Sequence, residues 1–496
     1  MNDALFDAII IGSGAGGAAA AHRLVRAGMR VMMLEKGDHL PADGSTLDVE
    51  RVVHAGQFLS REPWVNGRGE ALLPEEHFNV GGKTKWYGAA LLRFDRHEFA
   101  ADTGHGCRAW PIDAAALEPF YREAEALLGV RTFDCEPDLT RIVARLAPTG
   151  GAWQARPMPL ALSSRILEDR LEAMHFDGFA SVRGLKGEAE YSLLASLRSN
   201  ALFTLVTNAE VQGLIGRDDS PEIIAGVQLR DGREYHANRV LLAAGALHSP
   251  RLLERYLKAR NLAERLPASR QIGRHLKLHL LTAMVAASPR RISDLIRKTM
   301  ILTHGRFPHS SAQPLGFDAE LIGSLVPKWV PRWIASQVGG RAYGFFLQTE
   351  DGSDARNCVR DGGKDGSGAP VMDYDESRLV AAANEHRAFT RALQVALARA
   401  GMLAFTRRIG LTGTAHACGT LICGASPVDS VVDPSGRVHG MQGLYVVDGS
   451  VLPRSSRVNP SLTIYAWGLR VAELISRRCR AEADEVRIVA EAVDAR

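Results

Sequence analysis

Three glycines near the beginning of the sequence have the spacing of a turn that binds a phosphate group. Gly12, Gly14 and Gly17 fit the pattern G-x-G-x-x-G and follow the apolar run at 8–11. The first glycine allows a tight turn, the second lets the backbone approach a pyrophosphate, and the third lets a helix pack on the strand. Glu35 ends a second apolar run, where a carboxylate can bond a ribose hydroxyl. This order predicts a site for FAD or NAD rather than NADP; the alternative is a strand-to-helix turn without a ligand.

A second group of residues with chemical potential lies between 416 and 475. His416 opens it, and an imidazole can take or share a proton near neutral pH. Asp448-Gly449 follows the short apolar run at 444–447, at the end of a strand where a parallel sheet binds its ligand. Asn459-Pro460 opens a final apolar helix that runs to Ile475, and the N-terminus of that helix can stabilise an anion.

The elements that position these groups come from distant parts of the chain. Short apolar runs at 202–206 and 240–245 predict further strands of a parallel sheet, and the segment 208–211 is predicted to continue the first of them. Asp231-Gly232 predicts a hairpin between 223–229 and 235–237. Helical spacing predicts a helix after the N-cap Asp113 that stops at Gly129, one that starts at Ser249-Pro250, and a long one over 379–400.

Bulk composition excludes several classes of protein. The 496 residues can hold more than one core, and 46% hydrophobic and 23% charged residues are typical of a globular protein. A net charge of +4 without a basic block argues against nucleic-acid binding. The six cysteines form neither a zinc pattern nor a disulfide framework, so reduced, mostly buried thiols and no metal site are expected. With no signal peptide and no run of 18 apolar residues, we expect a cytoplasmic protein without a transmembrane segment.

Several of these motifs, in this order, resemble the glucose–methanol–choline oxidoreductases, a family of flavoproteins. The resemblance extends over nearly the whole length. The C-terminal part looks most like the bacterial dehydrogenase-type members and shares the His…Asn-Pro pairing of cholesterol oxidases. It rests on the N-terminal glycines, the C-terminal stretch and three internal segments, which are Gly81-Gly82…Trp86-x-Gly88, Ala243-Ala-Gly-Ala-Leu-His-Ser-Pro-Arg251 and Ile272-Gly-Arg-His275. The resemblance implies an α/β fold, α+β overall: a Rossmann-type FAD-binding domain with a discontinuous substrate domain on an antiparallel sheet.

The same resemblance implies domain boundaries and residue roles. The FAD-binding domain is expected over 1–95, 190–280 and 405–480, the substrate domain and connections over 96–189 and 281–404, and a charged tail over 481–496. His416 corresponds to the catalytic histidine beside the flavin, and Asn459 to its partner. The residues expected to bind the cofactor are Gly12, Gly14, Gly17, Glu35, Gly81, Gly82, Val211 (backbone, at the adenine), Ala244, Gly245, Asp448 and Gly449 (phosphate and ribitol), and Thr463 (with its adjacent backbone, at the pyrimidine).

The chemistry of these residue types agrees with that family. Alcohol oxidation removes an O–H proton and a C–H hydride, which a neutral imidazole and flavin N5 can accept. Asn459 can bond the alcohol oxygen and orient the C–H bond. Taken alone, a histidine such as His416 is more often a core residue, and His248, His275 and His439 are interpreted as structural.

The sequence also departs from the family pattern. Many relatives read Gly-Thr-Cys-Arg-Met-Gly after the histidine, whereas this chain reads Gly419-Thr-Leu-Ile-Cys-Gly424. Lys83 and Lys85 replace small polar residues. No cysteine cluster for an iron–sulfur centre is present.

The predicted function is FAD-dependent oxidation of a small-molecule alcohol to a carbonyl. Two alternatives remain open: a flavin-dependent lyase or isomerase using the same histidine, and a non-catalytic flavin-binding redox partner. The residues identify neither the alcohol nor the electron acceptor, which could be oxygen, a quinone or a redox protein.

Overall fold

Eighteen strands and nine helices are assigned in the part of the chain that this computed structural model describes, residues 6–148, 151–324, 331–362 and 368–494. The strands are β1 Ala8–Ile11, β2 Val31–Leu34, β3 Trp64–Asn66, β4 Ala71–Leu72, β5 Trp153–Pro157, β6 Phe203–Val206, β7 Val211–Gly216, β8 Ile224–Leu229, β9 Glu234–His236, β10 Val240–Leu242, β11 Leu280–Ala287, β12 Met300–His304, β13 Phe307–Pro314, β14 Ala342–Thr349, β15 Cys358–Gly362, β16 Gly368–Asp373, β17 Leu403–Arg408 and β18 Leu444–Val446. The helices are α1 Ala15–Arg26, α2 Glu118–Leu128, α3 Pro137–Leu146, α4 Arg170–Met174, α5 Ser249–Ala259, α6 Ala319–Ser324, α7 Arg332–Gly339, α8 Val380–Arg399 and α9 Ser461–Asp494.

The nucleotide-binding core is a five-stranded parallel sheet in the order β18-β10-β1-β2-β6. Strands β1, β2, β10 and β18 are buried along their whole length, as expected of short apolar strands covered on both faces. Helices α1 and α9 pack on this sheet through small residues. A Cβ on Gly16 would lie 1.7 Å from the Val447 carbonyl oxygen, and one on Gly468 would lie 2.6 Å from that of Gly16. The predicted assembly of this sheet from distant segments is confirmed.

The second large sheet is antiparallel and has six strands, in the order β17-β11-β14-β13-β12-β5. Its own hydrophobic core contains residues of α3 and α8, among them Leu139, Phe389 and Leu393. The remaining strands form a four-stranded sheet, β15-β16-β3-β4, and the antiparallel meander β7-β8-β9 that contains the predicted hairpin. The predicted fold class, a Rossmann-type sheet with a separate antiparallel sheet, is confirmed, while the domain boundaries stay a prediction.

Two predicted elements differ from the observed ones. The segment 208–211 does not continue β6, because the chain turns at Asn208 (φ 53°) and Val211 begins β7 of another sheet. Helix α9 continues far beyond Ile475, to Asp494, so most of the predicted tail is helical; residues 495–496 lie outside the described residues. All six cysteines are free, and four of them are buried. In the described residues, no helix has the length and apolar character needed to cross a membrane.

Candidate active site

A cavity of about 1300 Å³ lies between the two large sheets. Its volume exceeds that of typical small-ligand pockets, which is roughly 300–1,000 Å³. Its wall runs from the turn between β1 and α1 to His416 and Asn459. The carboxyl ends of β1, β2, β10 and β18 all contribute to it, as expected of a ligand site in a parallel sheet. The volume can hold a dinucleotide and a second, smaller molecule.

The first glycine turn has the geometry of a pyrophosphate cradle. Gly12 adopts a φ of +102°, and a Cβ on it would lie 2.5 Å from the Ala243 carbonyl oxygen. Gly17 lies against Gly12, and a Cβ on Gly17 would lie only 2.1 Å from the Gly12 carbonyl oxygen. By contrast, a Cβ on Gly14 would meet nothing within 4 Å, and Gly14 lines the cavity at the N-terminus of the 12-residue helix α1. The open space at Gly14 therefore fits a phosphate group held by backbone N–H groups.

Glu35 connects the two strands that flank this cradle. It is only 6% exposed; one carboxylate oxygen accepts from Ser13 N (3.0 Å) and Ser13 Oγ (2.5 Å), and the other from Gly37 N (3.0 Å). Ser13 Oγ in turn accepts from Gly81 N at 2.9 Å. A carboxylate has about four acceptor sites, so these three bonds leave one for a ribose hydroxyl.

We expect Glu35→Ala to weaken FAD binding by roughly 1.5–3 kcal/mol, because a charge-assisted hydrogen bond to the ribose is lost. The measurement is the FAD dissociation constant of the apoprotein, compared with Glu35→Gln, which keeps the volume, and with Glu123→Ala outside the cavity wall. An unchanged dissociation constant in Glu35→Ala would place the ribose contact elsewhere.

The second glycine segment brings a different part of the chain to the cradle. Gly81 and Gly82 have positive φ, +87° and +54°, and a Cβ on Gly82 would lie 3.4 Å from the Gly14 Cα. The two unusual lysines beside them are paired: Lys83 with Glu76 and the Thr414 carbonyl oxygen, and Lys85 with Glu188 and Glu190. Gly82 and Lys83 line the cavity, whereas Gly81 acts through its bond to Ser13.

Asp448 fixes the ends of β10 and β18 beside the cavity. Its carboxylate accepts from Gly245 N (2.8 Å), Ser249 Oγ (2.5 Å), Ser450 N (2.9 Å) and Ser450 Oγ. Burial raises the pKa of this carboxyl group. Because four donors occupy its oxygens, Asp448 organises the loop ends. Ala244, Gly245, Asp448, Gly449 and, from the meander, Val211 all line the cavity.

Besides Gly81, two residues expected at the cofactor lie behind the cavity wall. Gly17 packs against Gly12, and the fully buried Thr463 pairs its hydroxyl with Tyr121 Oη at 2.8 Å. At the start of α9, the residues that line the cavity are Pro460, Ser461 and Ile464. The Thr463 hydroxyl is therefore used inside the fold, and the approach of Thr463 and its adjacent backbone to the pyrimidine stays a prediction.

His416 and Asn459, 43 positions apart, meet on the cavity wall. His416 Nε2 lies 3.2 Å from Asn459 Nδ2, and Asn459 Oδ1 accepts from Gln313 Nε2 at 2.5 Å. The Phe346 ring meets the His416 ring edge-on at 6.1 Å. Burial, and then the nearby His279, Lys298 and Lys83, lower the pKa of His416 well below its usual value. The imidazole is therefore neutral at physiological pH and able to accept a proton.

Sequence reasoning missed three groups in this region. Gln313 lines the cavity, and its Oε1 is buried without a hydrogen-bond partner among the described residues. Lys298 and Asp177 form an ion pair (2.8 Å) on the same wall. His279 lies directly behind His416, with 3.1 Å between their Nδ1 atoms. No local motif marks these positions; the only signal for His279 is its place four residues after His275, where a segment that carries the family resemblance ends.

Comparisons with known proteins agree with this geometry. The family model "GMC oxidoreductase" matches residues 354–468, and a "NAD(P)-binding Rossmann-like domain" model matches residues 10–59. The chain is 29% identical to 6'''-hydroxyparomomycin C oxidase of Streptomyces lividus, covering 97% of this chain and 93% of that protein. It is 29% identical to paromamine 6'-oxidase of Streptomyces fradiae, covering 96% of this chain and 92% of that protein. It is 26% identical to 2-methyl-1,2-propanediol dehydrogenase of Mycolicibacterium austroafricanum, covering 95% of each protein.

Solved structures show the same fold. Pyridoxine 4-oxidase from Mesorbium loti superposes with a TM-score of 0.60 at 18% identity, covering 95% of this chain and 99% of that one. Formate oxidase from Aspergillus oryzae RIB40 superposes with a TM-score of 0.63 at 15% identity, covering 97% and 100%. From the matched C-terminal model, the near full-length relatives and the shared fold, we conclude that the chain belongs to the glucose–methanol–choline oxidoreductase family, in which the three relatives named above are FAD-dependent oxidases or dehydrogenases that act on CH–OH groups.

Proposed function

We propose that this enzyme oxidises a polar, hydroxyl-rich alcohol to a carbonyl compound, with His416 as the proton acceptor and Asn459 as its partner. The observation that carries the proposal is the neutral His416–Asn459 pair on the wall of the cavity that the glycine cradle opens into. When bound, FAD supplies the hydride acceptor. The chain's own residues then have to bind the alcohol, orient it and take its proton.

The two side chains have complementary tasks. His416 Nε2 accepts the O–H proton, since its neutral ring is the only titratable group of the pair. Asn459 Nδ2 donates to the alcohol oxygen and holds it beside that nitrogen. Gln313 fixes the orientation of the Asn459 amide through the 2.5 Å bond to Oδ1. Asn459 thereby orients the reacting C–H bond within the cavity.

A polar substrate agrees with the residues around this pair. The cavity wall carries Gln313 with its unpaired Oε1, the Lys298–Asp177 pair and the carboxyl group of Glu75. A buried acceptor without a partner is costly, and a second substrate hydroxyl or amine would satisfy it. The relatives that are named for oxidation of paromamine and hydroxyparomomycin, both highly polar compounds, agree with this class.

The alternatives have no comparable support. The three relatives named above are oxidases or dehydrogenases, and none is a lyase, an isomerase or a non-catalytic redox partner. The deciding experiment is anaerobic mixing of the holoenzyme with paromamine, 2-methyl-1,2-propanediol, pyridoxine and cholesterol while the flavin absorbance is recorded. We expect bleaching by a polar alcohol and none by cholesterol; bleaching by cholesterol alone would overturn the substrate class, and bleaching by no alcohol would contradict the function.

We also expect the FAD to be bound without a covalent link. The segment Gly81-Gly82-Lys83-Thr84-Lys85 lacks the histidine that some relatives use for attachment. His77, the nearest cavity-lining histidine in sequence, is stacked on Trp86 (4.7 Å) and holds its Nδ1 at the Phe58 carbonyl oxygen. Acid precipitation should release the yellow colour into the supernatant, and colour that stays in the pellet would contradict the prediction.

A further inference from the structure

His279 contacts the proposed catalytic histidine from behind. It is 3% exposed, does not line the cavity, and immediately precedes β11. Its Nε2 lies 2.7 Å from the Ser456 carbonyl oxygen, and its Nδ1 lies 3.1 Å from His416 Nδ1. His279 therefore connects a backbone carbonyl group to the side of His416 that faces away from the substrate space.

The direction of each hydrogen bond in this chain follows from its fixed end. A carbonyl oxygen only accepts, so His279 Nε2 carries a hydrogen. A neutral imidazole has one N–H, which leaves His279 Nδ1 with a lone pair. The facing His416 Nδ1 must then be the donor, so His416 Nε2 carries the lone pair and faces Asn459 Nδ2 at 3.2 Å. Gln313 Nε2 donates to Asn459 Oδ1, which gives the Asn459 amide the matching orientation.

The reverse arrangement introduces a buried charge. If His416 carried its hydrogen on Nε2, its Nδ1 would be an acceptor, and His279 would need hydrogens on both nitrogens. That state is an imidazolium at His279, whose side chain is nearly inaccessible to solvent. Both amides, Asn459 and Gln313, would also have to turn. Burying an unpaired charge is unfavourable, so one direction is selected.

The backbone at both ends of the His279–Ser456 bond is strained in the same way. His279 has a φ of +64° and Ser456 a φ of +70°, values that residues with a side chain rarely adopt. Such conformations concentrate at functional sites, where the surrounding structure maintains them. Ser456 is itself held by Glu350, which accepts from its N–H at 3.2 Å, and by Glu98, which accepts from its hydroxyl at 2.7 Å.

We infer that His279 is a positioning residue that holds His416 in the tautomer with hydrogen on Nδ1, leaving Nε2 free to take the alcohol's proton. After that transfer His416 is an imidazolium, and His279 Nδ1 stabilises it by accepting its Nδ1–H. The inference rests on the proposed function for its catalytic meaning, but the tautomer itself can be observed without turnover.

Two substitutions separate the acceptor role of His279 from its structural role. In His279→Asn, the amide oxygen takes the place of Nδ1 and can still accept from His416, while the bond to Ser456 is lost. In His279→Gln, the amide nitrogen reaches the place of Nε2 and can still donate to Ser456, while the acceptor at Nδ1 is lost. A merely structural role predicts an unchanged His416 tautomer in both variants, whereas a tautomer role predicts a change in His279→Gln alone.

The experiment combines nitrogen NMR of histidine-labelled holoenzyme with anaerobic flavin reduction. The His416 signals are assigned by their loss in His416→Asn. We expect wild type and His279→Asn to show His416 protonated on Nδ1, and His279→Gln to show the Nε2–H form or a mixture. His279→Gln should reduce its flavin roughly 10- to 100-fold more slowly at saturating substrate, as for loss of one buried hydrogen bond, and His279→Asn should recover most of that loss.

Several outcomes overturn the inference. The first is a wild-type His416 that carries its hydrogen on Nε2, and the second is an unchanged His416 tautomer in His279→Gln. The third is flavin reduction that is slower in His279→Asn than in His279→Gln. If neither variant folds, the wild-type spectrum alone decides the tautomer. If no alcohol reduces the flavin, the proposed function fails, whereas the spectrum still tests the hydrogen-bond direction.

Discussion

Replacing His416 with alanine is expected to slow flavin reduction by roughly 10²- to 10⁴-fold, the usual effect of one positioned acid–base group. The neutral ring of His416 lies on the cavity wall with its Nε2 beside Asn459. The amide of Asn459 is not a base, so it cannot accept the proton when the histidine is removed. The measurement is single-turnover reduction under anaerobic conditions, with FAD content checked for each variant. A variant reduced at the wild-type rate would remove His416 from the mechanism.

Asn459→Ala provides the partner measurement for the same site. It should lose less than His416→Ala, because it removes a hydrogen bond and leaves the proton acceptor. If both side chains bind one substrate oxygen, the double variant should lose less than the product of the two single effects. Strictly multiplicative losses would mean that the two residues act independently.

The second large effect is expected on stability, from Arg454→Met. Arg454 is 1% exposed and forms two bonds to the fully buried Glu350, at 2.8 and 2.6 Å, and a third to the Ala100 carbonyl oxygen at 2.7 Å. Burial alone would raise the pKa of Glu350, but the bonds from Arg454 and His309 lower it overall, so it is charged. Without Arg454, the buried Glu350 carboxylate loses its main partner. The free energy of unfolding should therefore fall by about 3–5 kcal/mol.

Arg477→Met is the matched control, because Arg477 pairs with Glu473 at the surface (2.6 Å) and such pairs contribute about 0–1 kcal/mol. Denaturant unfolding of both holoproteins checks the difference. Equal losses in the two variants would show that Glu350 is satisfied without Arg454. Because Glu350 also holds Ser456, which accepts from His279, we expect Arg454→Met to disturb His416 as well.

The parts of the fold that could be predicted are those specified by local patterns. Strand β1, the glycine turn and β2 follow from short buried runs and from Gly12 and Gly17, whose positions exclude a Cβ. The cap at Asp113 is also local: its side chain accepts from Ala116 N, although the first turn is a 3₁₀ helix that precedes α2. Within this local range, the periodicity and the turn residues were sufficient.

The parts that could not be predicted depend on contacts between distant segments. Val211 continues the apolar pattern of β6, but the turn at Asn208, whose side chain bonds Asp38, sends it into another sheet. The strand order of the antiparallel sheet has no sequence signal. His279 lies 137 residues before His416, and only the packed structure brings their rings together. The resemblance to the family identified His416 and Asn459 but not the residues that orient them.

The parallel sheet has a consequence for how this protein matures. Its first strand ends at Ile11, whereas β18, the edge strand that pairs with β10, begins at Leu444. At a translation rate of about 5–20 residues per second, the two are made roughly 20–90 s apart. The nascent chain must therefore keep an incomplete sheet, with apolar strand edges, from aggregating until its C-terminal segment leaves the ribosome. Since Asp448 and Asn459 arrive with that segment, we expect flavin uptake to follow chain release and to complete folding rather than to initiate it.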